Sequence, residues 1–404
     1  MSLLFLTVTR LTTINENGIY TDLMRKFRDE GHQVYVVAPS ERRFKKKTNL
    51  KKESGVVILN VKTLNIQKTN VIEKGIATLL LERQFLFAIN KYFKNIKFDI
   101  VVYSTPPITF TKVIQKIKSR DNALTYLLLK DIFPQNAVDL DMFKQNSLLH
   151  KYFSKKEKEL YAVSDFIGCM SPANVKYILE HNPEIKPECI EVNPNSIELI
   201  NSKKDKASRE LIRKERELPL DKTIFIYGGN LGKPQGIDFL IETIEASTHL
   251  SNSYIVVIGS GTEYPRIKKW FETVAPKNAK LLEGLPKDDY DNLVSACDMG
   301  LIFLDPRFTI PNYPSRLLSY LENSMSVITA TDPNTDIGTI ATENGYGLKC
   351  LSGDIETMKK HIQYCCESPE KVKEMGQKGY EFLKNNYTVQ HSYDIIMKHF
   401  NKNP

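Results

Sequence analysis

The sequence predicts two tandem, doubly wound α/β domains. Three observations lead there. At 404 residues the chain is too long for one ordinary core. Continuous apolar strands alternate with helices in two separate series, the pattern of parallel sheets covered on both faces. The stretch IYGGNLGKPQGIDFLIETI, residues 226–244, reads as a strand end, a glycine-rich turn and an amphipathic helix. Such a turn holds phosphate through backbone N–H groups and the helix dipole, and it normally follows the first strand of a domain. Here it lies past the middle of the chain, so it opens a second domain.

The first series begins with the strand LLFLTVT, then a polar loop, RLTTINENG, and the helix GIYTDLMRKFRDEG, which stops at Gly31. QVYVVAP and GVVILNV are the next strands, followed by a helix over 75–94. FDIVVYST, a helix near 110–119 and ALTYLLLKD continue the alternation, and DFIGCMS and CIEVNPNSI close it. The charged segment NSKKDKASRELIRKERELPLDK connects the halves and contains some helix. The second series has strands KTIFIYGG, YIVVIGSG, AKLLEG, MGLIFLD and MSVITATD. Helices over 236–247, 263–274, 287–296 and 315–323 separate them. The expected domains are therefore 1–200 and 201–384, with a helical tail over 385–404 packing back on the first.

Bulk numbers exclude several classes. A net charge of +8 suits a partner with phosphates or an anionic surface, but does not imply nucleic acid. No binding module with interleaved aromatics is visible, so a nucleic-acid role is not expected. The six cysteines form no CxxC pair, and the seven histidines show no HxH or HExxH spacing. A metallohydrolase is therefore not expected. MSLLFLTVTR reads as a buried first strand, not a leader, and no run of about 18 apolar residues crosses a bilayer. The expected location is the cytoplasm, or the cytoplasmic face of a membrane.

The segments NGIYTDLMRKFRDEGHQVYVVAP, PPITFTKVI, YLLLKDIFPQNAVDL, GCMSPANVKYI, VNPNSI, YGGNLGKPQGIDFLI, VIGSGTE and YPSRLLSYLENSMSVITATD follow one another in an order that resembles a known family. They resemble bacterial GT-B glycosyltransferases of family four, of the capsule and surface-polysaccharide type, near the N-acetylfucosamine transferases. The resemblance implies two Rossmann-like domains facing a cleft. It further implies transfer of a sugar, with retention, from a nucleotide donor (UDP by default) to an undecaprenyl-pyrophosphate-linked saccharide. That no metal or cofactor is needed at all is implied only by this family resemblance. The chain also departs from the family. Asn230 stands at the usual arginine and Gln235 at the usual lysine of the first turn, with Lys233 between them. Pro311 and Ser319 stand where many members carry two glutamates, and Glu322 lies one turn later.

Departure of a nucleoside diphosphate needs preorganised positive charge and N–H donors. The donor-side candidates are Gly18 in the first domain and Gly229, Asn230, Lys233, Gly261, Glu263, Pro314, Ser315, Arg316 and Ser319 in the second. Pro314 suits a helix start, and Arg316 can grip a phosphate with two N–H bonds. Asp131 ends an apolar strand where open α/β sheets bind ligands, and it is the catalytic candidate; its structural alternative is a turn cap. DLD at 139–141 resembles a metal-holding carboxylate pair but does not follow a buried strand directly.

ERRFKKKTNLKK, residues 41–52, is the densest charge run. A solvated loop is the plain reading. The alternative is an anionic membrane surface met by Arg42, Arg43, Lys45, Lys46, Lys47, Lys51 and Lys52, with GIATLLLERQFLFAINKYFK adding an apolar face. Rival readings are a non-catalytic GT-B-like binding subunit and a GT-B epimerase. A dehydrogenase is disfavoured, because RLTTINENG lacks GxGxxG.

Overall fold

The structure, a computed structural model, describes residues 1–66, 69, 71–199 and 205–400. It divides into two compact units. Unit 1 comprises Met1–Glu198 and the chain from Val389, and unit 2 is Leu199–Thr388. The boundary expected at 200/201 lies outside the described residues.

Unit 1 contains β1 (Ser2–Leu6), α1 (Ile19–Asp29), β2 (Gln33–Glu41), β3 (Asn49–Glu53), β4 (Val56–Thr63), α2 (Val71–Tyr92), β5 (Ile100–Ser104) and α3 (Thr111–Asp121). It continues with β6 (Leu124–Leu129), α4 (Gln135–Asp139), α5 (Leu148–Val163), β7 (Phe166–Cys169), α6 (Pro172–His181) and β8 (Ile190–Val192). The sheet order is β3-β4-β2-β1-β5-β6-β7-β8. Leu3–Leu6 and Ile100–Tyr103 are buried throughout, as expected of strands covered on both faces. Only β3 runs antiparallel, against β4 at the edge. The plain loop reading of 41–52 is corrected at its end only: Arg42–Phe44 form a single tight turn and 45–48 are irregular, whereas Asn49–Glu53 hydrogen-bond as an edge strand, where lysines guard against further pairing.

Helices α4 to α6 were not foreseen. Their signals are local. Ser147 caps α5, its hydroxyl accepting from the His150 N–H at 3.2 Å. Ser171 caps α6, and Pro172 occupies the first turn.

Unit 2 contains α7 (Lys206–Glu215), β9 (Thr223–Asn230), α8 (Ile237–Ala246), β10 (Ser253–Ser260), α9 (Tyr264–Val274), β11 (Ala279–Glu283) and α10 (Lys287–Ser295). Then come β12 (Met299–Phe303), α11 (Arg316–Glu322), β13 (Ser326–Thr331), α12 (Ile337–Glu343), β14 (Gly347–Leu351), α13 (Ile355–Glu367) and α14 (Pro369–Asn386). The sheet order is β11-β10-β9-β12-β13-β14, and its pairs are parallel. Phe225, Tyr227, Val257, Leu301 and Phe303 form its core with Ile237, Leu240 and Ile244 of α8.

The tail was expected to be one helix. It is two: α14 ends at Asn386, and α15 (Val389–Met397) starts afresh. The Val389 N–H is taken by the Ile197 carbonyl of unit 1 at 3.1 Å, which replaces a helical bond. Residues 401–404 of the expected tail lie outside the described residues.

Candidate functional site

In unit 2 the strand order reverses at β9, between β10 and β12. Ligands of open α/β sheets bind outside the carboxyl ends of strands at such a switch point. The two strands part early here: β12 pairs with β9 only at Met299–Phe225 and Gly300–Ile226. The Tyr320 hydroxyl fills the gap, accepting from the Gly228 N–H at 3.1 Å and donating to the Ile226 carbonyl at 3.2 Å.

Above this crevice the structure joins the 228–236 turn to the start of α11. The Arg316 guanidinium lies 4.5 Å from the Tyr227 ring centroid. Its Nη2 donates to Gln235 Oε1, while its Nη1 is buried and has no hydrogen-bond partner. The Tyr227 hydroxyl in turn donates to the Asn230 carbonyl at 2.8 Å. Gly236 has φ +54, and a side chain there would put Cβ 2.7 Å from the Leu304 carbonyl oxygen. Only glycine lets α8 start against the end of β12. Gly229, Asn230, Lys233 and Ser315 are exposed, and Pro314 and Ser319 are half-buried. No hydrogen bond or ion pair holds Lys233 among the described residues.

Gly261 and Glu263 sit on the neighbouring loop, after β10. A Cβ on Gly261 would lie 2.2 Å from the Leu231 carbonyl oxygen, so this glycine lets the loops after β9 and β10 lie flat together. The Glu263 carboxylate is paired with Arg266 at 2.7 Å, and Arg266 also reaches Asp238 at 2.7 Å. Glu263 therefore serves its own helix start. Pro311, at one expected glutamate position, is buried, and Glu322 closes α11 half-buried.

In unit 1, Asp131 follows β6 at the carboxyl edge of the sheet. Thr105 fixes its backbone: Thr105 Oγ1 accepts from the N–H groups of Lys130 at 2.9 Å and Asp131 at 3.2 Å. Asn136 Nδ2 donates to both carboxylate oxygens, at 2.8 and 3.0 Å. Burial raises Asp131 to about 6, against the lowering effect of Asn136. The carboxylate does not cap α4, whose first turn has no side-chain cap bond. Glu157 of α5 is raised to about 7, first by burial, and the Asp131 charge adds to the rise. Burial lowers the Lys130 ammonium to about 7; it donates to the Asn193 carbonyl at 3.1 Å. Gly18 precedes α1, and its N–H is already taken by Asp22 Oδ1 at 2.8 Å, so this donor is not open to a diphosphate.

The basic run is less free than its composition. Arg42 pairs with Glu73 at 2.9 Å, Arg43 with Glu41 at 3.1 Å and Lys51 with Glu53 at 3.1 Å. Phe44 is half-buried beneath the Arg10 guanidinium, 3.7 Å from its ring centroid. Lys45, Lys46, Lys47 and Lys52 are exposed. In DLD, Asp139 accepts from Gln135 at 2.8 Å and Asp141 adopts φ +56. No group of three or more His, Cys, Asp or Glu side chains is placed to hold a metal among the described residues.

The family model for glycosyl transferases group 1 matches residues 208–382. This match falls within unit 2. A probable glycosyltransferase of Pseudomonas aeruginosa, WbjE, is 20% identical over 332 residues, covering 80% of this chain and 78% of its own. Sucrose-phosphate synthase of Thermosynechococcus elongatus superposes with a TM-score of 0.78 at 13% identity, over 99% of this chain and 98% of the other. Anabaena HepE in complex with UDP-glucose superposes with a TM-score of 0.70 at 13% identity over the whole of both chains. The fold is GT-B: two α/β domains with parallel sheets.

Several residues at the sheet edges escaped sequence reasoning. Tyr227 and Tyr320 look like ordinary core tyrosines until their hydroxyls are seen on the turn backbone. Glu157 lies in a charged helix among five lysines and glutamates and carries no signal at all. Lys130 could have been found, because a lysine ending an otherwise apolar strand at a carboxyl edge is unusual.

Proposed function

We propose that the protein transfers a sugar, with retention, from UDP to a lipid-linked saccharide in capsular or surface-polysaccharide synthesis. The sugar is a hexose or an N-acetylamino sugar, and the work is done at the cytoplasmic face of the membrane. The observation that carries the donor half is Arg316. Its guanidinium is held rigidly by Tyr227 and Gln235 at the switch-point crevice, yet one nitrogen lacks an acceptor. A buried cationic donor without a partner is costly, and an oxygen of a diphosphate would satisfy it. Arg316 reaches Gln235, which stands at the usual lysine position of the turn, so a cation is supplied to that place from α11. Lys233 adds a second, movable charge. The binding of UDP-glucose by HepE, a structural neighbour, supports UDP as the donor nucleotide. No metal is invoked: these cations and the turn N–H groups meet the developing negative charge.

On the acceptor side Asp131 orients a hydroxyl near the reacting sugar, and its proton leaves with the departing phosphate. The resemblance to surface-polysaccharide enzymes and the exposed lysines 45–47 support a membrane-borne acceptor.

The test is UDP binding by thermal shift or calorimetry. Arg316→Ala and Lys233→Ala should each weaken it by roughly 1.5–3 kcal/mol, about 10- to 150-fold. Wild-type affinity in both variants places the nucleotide elsewhere. Donor hydrolysis should also survive EDTA; complete loss, restored by magnesium, would return attention to Asp139 and Asp141.

A further inference from the structure

Helix α2 is apolar on both sides. Its inner face buries Ala77, Leu81, Phe85, Ala88 and Ile89. Its outer face, at helical spacing, exposes Ile76, Leu79, Leu80 and Phe87 around a single exposed Arg83, with Leu79 at 60% and Phe87 at 72%. A surface helix normally turns polar residues outward, and clustered exposed leucines and phenylalanines mark a docking face. A second exposed apolar pair lies in the same unit, across α3 from α2. Helix α3 packs beside both α2 and α5. Glu82 of α2 accepts from the Lys112 N–H near the start of α3, and its charge acts on Lys156 of α5. At the start of α5, Leu148 is 88% exposed and Leu149 is exposed. The loop before it is pinned by Phe143 against Phe153, with ring centroids 6.3 Å apart, so these leucines stand on a packed base.

Charge decides what covers this face. Arg42 is paired with Glu73 in the first turn of α2, which holds the basic turn against the start of the apolar helix. Exposed Lys45, Lys46 and Lys47 follow at once. Apolar side chains flanked by uncompensated lysines match the interface of an anionic bilayer, where chains meet hydrocarbon and ammonium groups meet headgroup phosphates. We infer that the outer face of α2 and the start of α5 insert into an anionic membrane leaflet, with the basic turn as an electrostatic collar. This deepens the membrane-side acceptor reading and rests on it. It also adds a property that a lysine patch alone lacks: insertion of apolar side chains is not screened by salt, so part of the binding persists when the charges are masked.

The experiment is co-sedimentation of the full chain with phosphatidylglycerol-containing vesicles and with phosphatidylcholine vesicles. The paired variants Leu79→Gln/Phe87→Gln and Leu148→Gln/Leu149→Gln should each partition roughly tenfold less or weaker still, given the area of two apolar side chains. Their melting temperatures and UDP affinity should stay those of the wild type. The wild type should keep a residual affinity for anionic vesicles at high salt, and the variants should lose it. Variants that partition like the wild type overturn the inference. So does wild-type self-association that the variants abolish, since a second copy would then cover the face. UDP affinity is read separately, so failed vesicle binding with intact UDP binding refutes this face and leaves the donor reading standing.

Discussion

At the scale of single residues, Asp131 was legible and its surroundings were not. Its place at the end of YLLLKD follows from strand pattern alone. That Asn136 would hold both its oxygens, and that Lys130 and Glu157 would lie half-buried near it, depends on contacts the sequence does not encode locally. These contacts predict a conflict between stability and activity. The folded pKa of Asp131 is about 6, above its ordinary 3.8. The folded state therefore binds the extra proton between these values. This contribution favours folding below the unfolded pKa and is lost as pH rises through the folded one. Asp131→Asn removes the cost of a buried carboxylate. It should raise the melting temperature at about pH 8 and change it little near pH 4, while lowering turnover by roughly 10²-fold. A variant with normal turnover and a lower melting temperature would make Asp131 a structural residue. Lys130 has the opposite sign. Its folded pKa of about 7 lies below 10.5, so stability rises with pH between these values. Lys130→Met should therefore stabilise most below about pH 7, which thermal melts across pH would show.

At the scale of elements, the turn after β9 was read correctly as a strand–turn–helix because glycines and apolar periodicity are local signals. Its partner was only half visible. Arg316 was singled out for its chemistry, but nothing in YPSRLLSYL says that its guanidinium stacks on Tyr227. That contact arises because β9 and β12 diverge and Tyr320 fills the space. The charged strand β3 was missed for the converse reason: its pairing with β4 overrides a composition that suggests a loop. Gly261 offers a test of how tightly the loops after β9 and β10 are set. A methyl group there meets backbone, the Leu231 carbonyl, and not a movable side chain. Gly261→Ala should cost about 1–3 kcal/mol, as overpacking does, and lower the melting temperature. Because the shift displaces the turn that carries Lys233 and Gln235, the partner of Arg316, UDP affinity should fall with it. Unchanged stability would mean that the loops after β9 and β10 part easily.

At the scale of the whole molecule, the chain returns to its beginning. Helix α15 belongs to unit 1, although unit 2 separates it from the rest of that unit in sequence. Composition hints at this only weakly, since YTVQHSYDIIMKHF reads as any amphipathic tail. The structure gives it many anchors. Val389 and Ile396 are buried in the unit 1 core beside Leu23, Met24 and Phe27 of α1. The Ser392 hydroxyl donates to Asn193 Oδ1 at 2.8 Å, and the Tyr393 hydroxyl bonds His32 at 3.0 Å. Beyond the helix, His399 stacks on Phe166 with centroids 3.5 Å apart and reaches Glu191 at 2.9 Å. Burying Val389 and Ile396 alone is worth roughly 3–6 kcal/mol, at 1.5–3 for each side chain. A domain of ordinary stability holds only about 5–15 kcal/mol in total. A chain ending at Thr388 should therefore lose much of the stability of unit 1, the half most distant in sequence from the cut. Hydrogen exchange followed by peptide mass spectrometry would localise the loss. Amides of α1 and β2 should exchange faster by orders of magnitude, while those of β9 and β10 keep their protection, because their core of Phe225, Tyr227 and Val257 uses nothing beyond residue 388. Equal loss in both units would show that they unfold as one cooperative body.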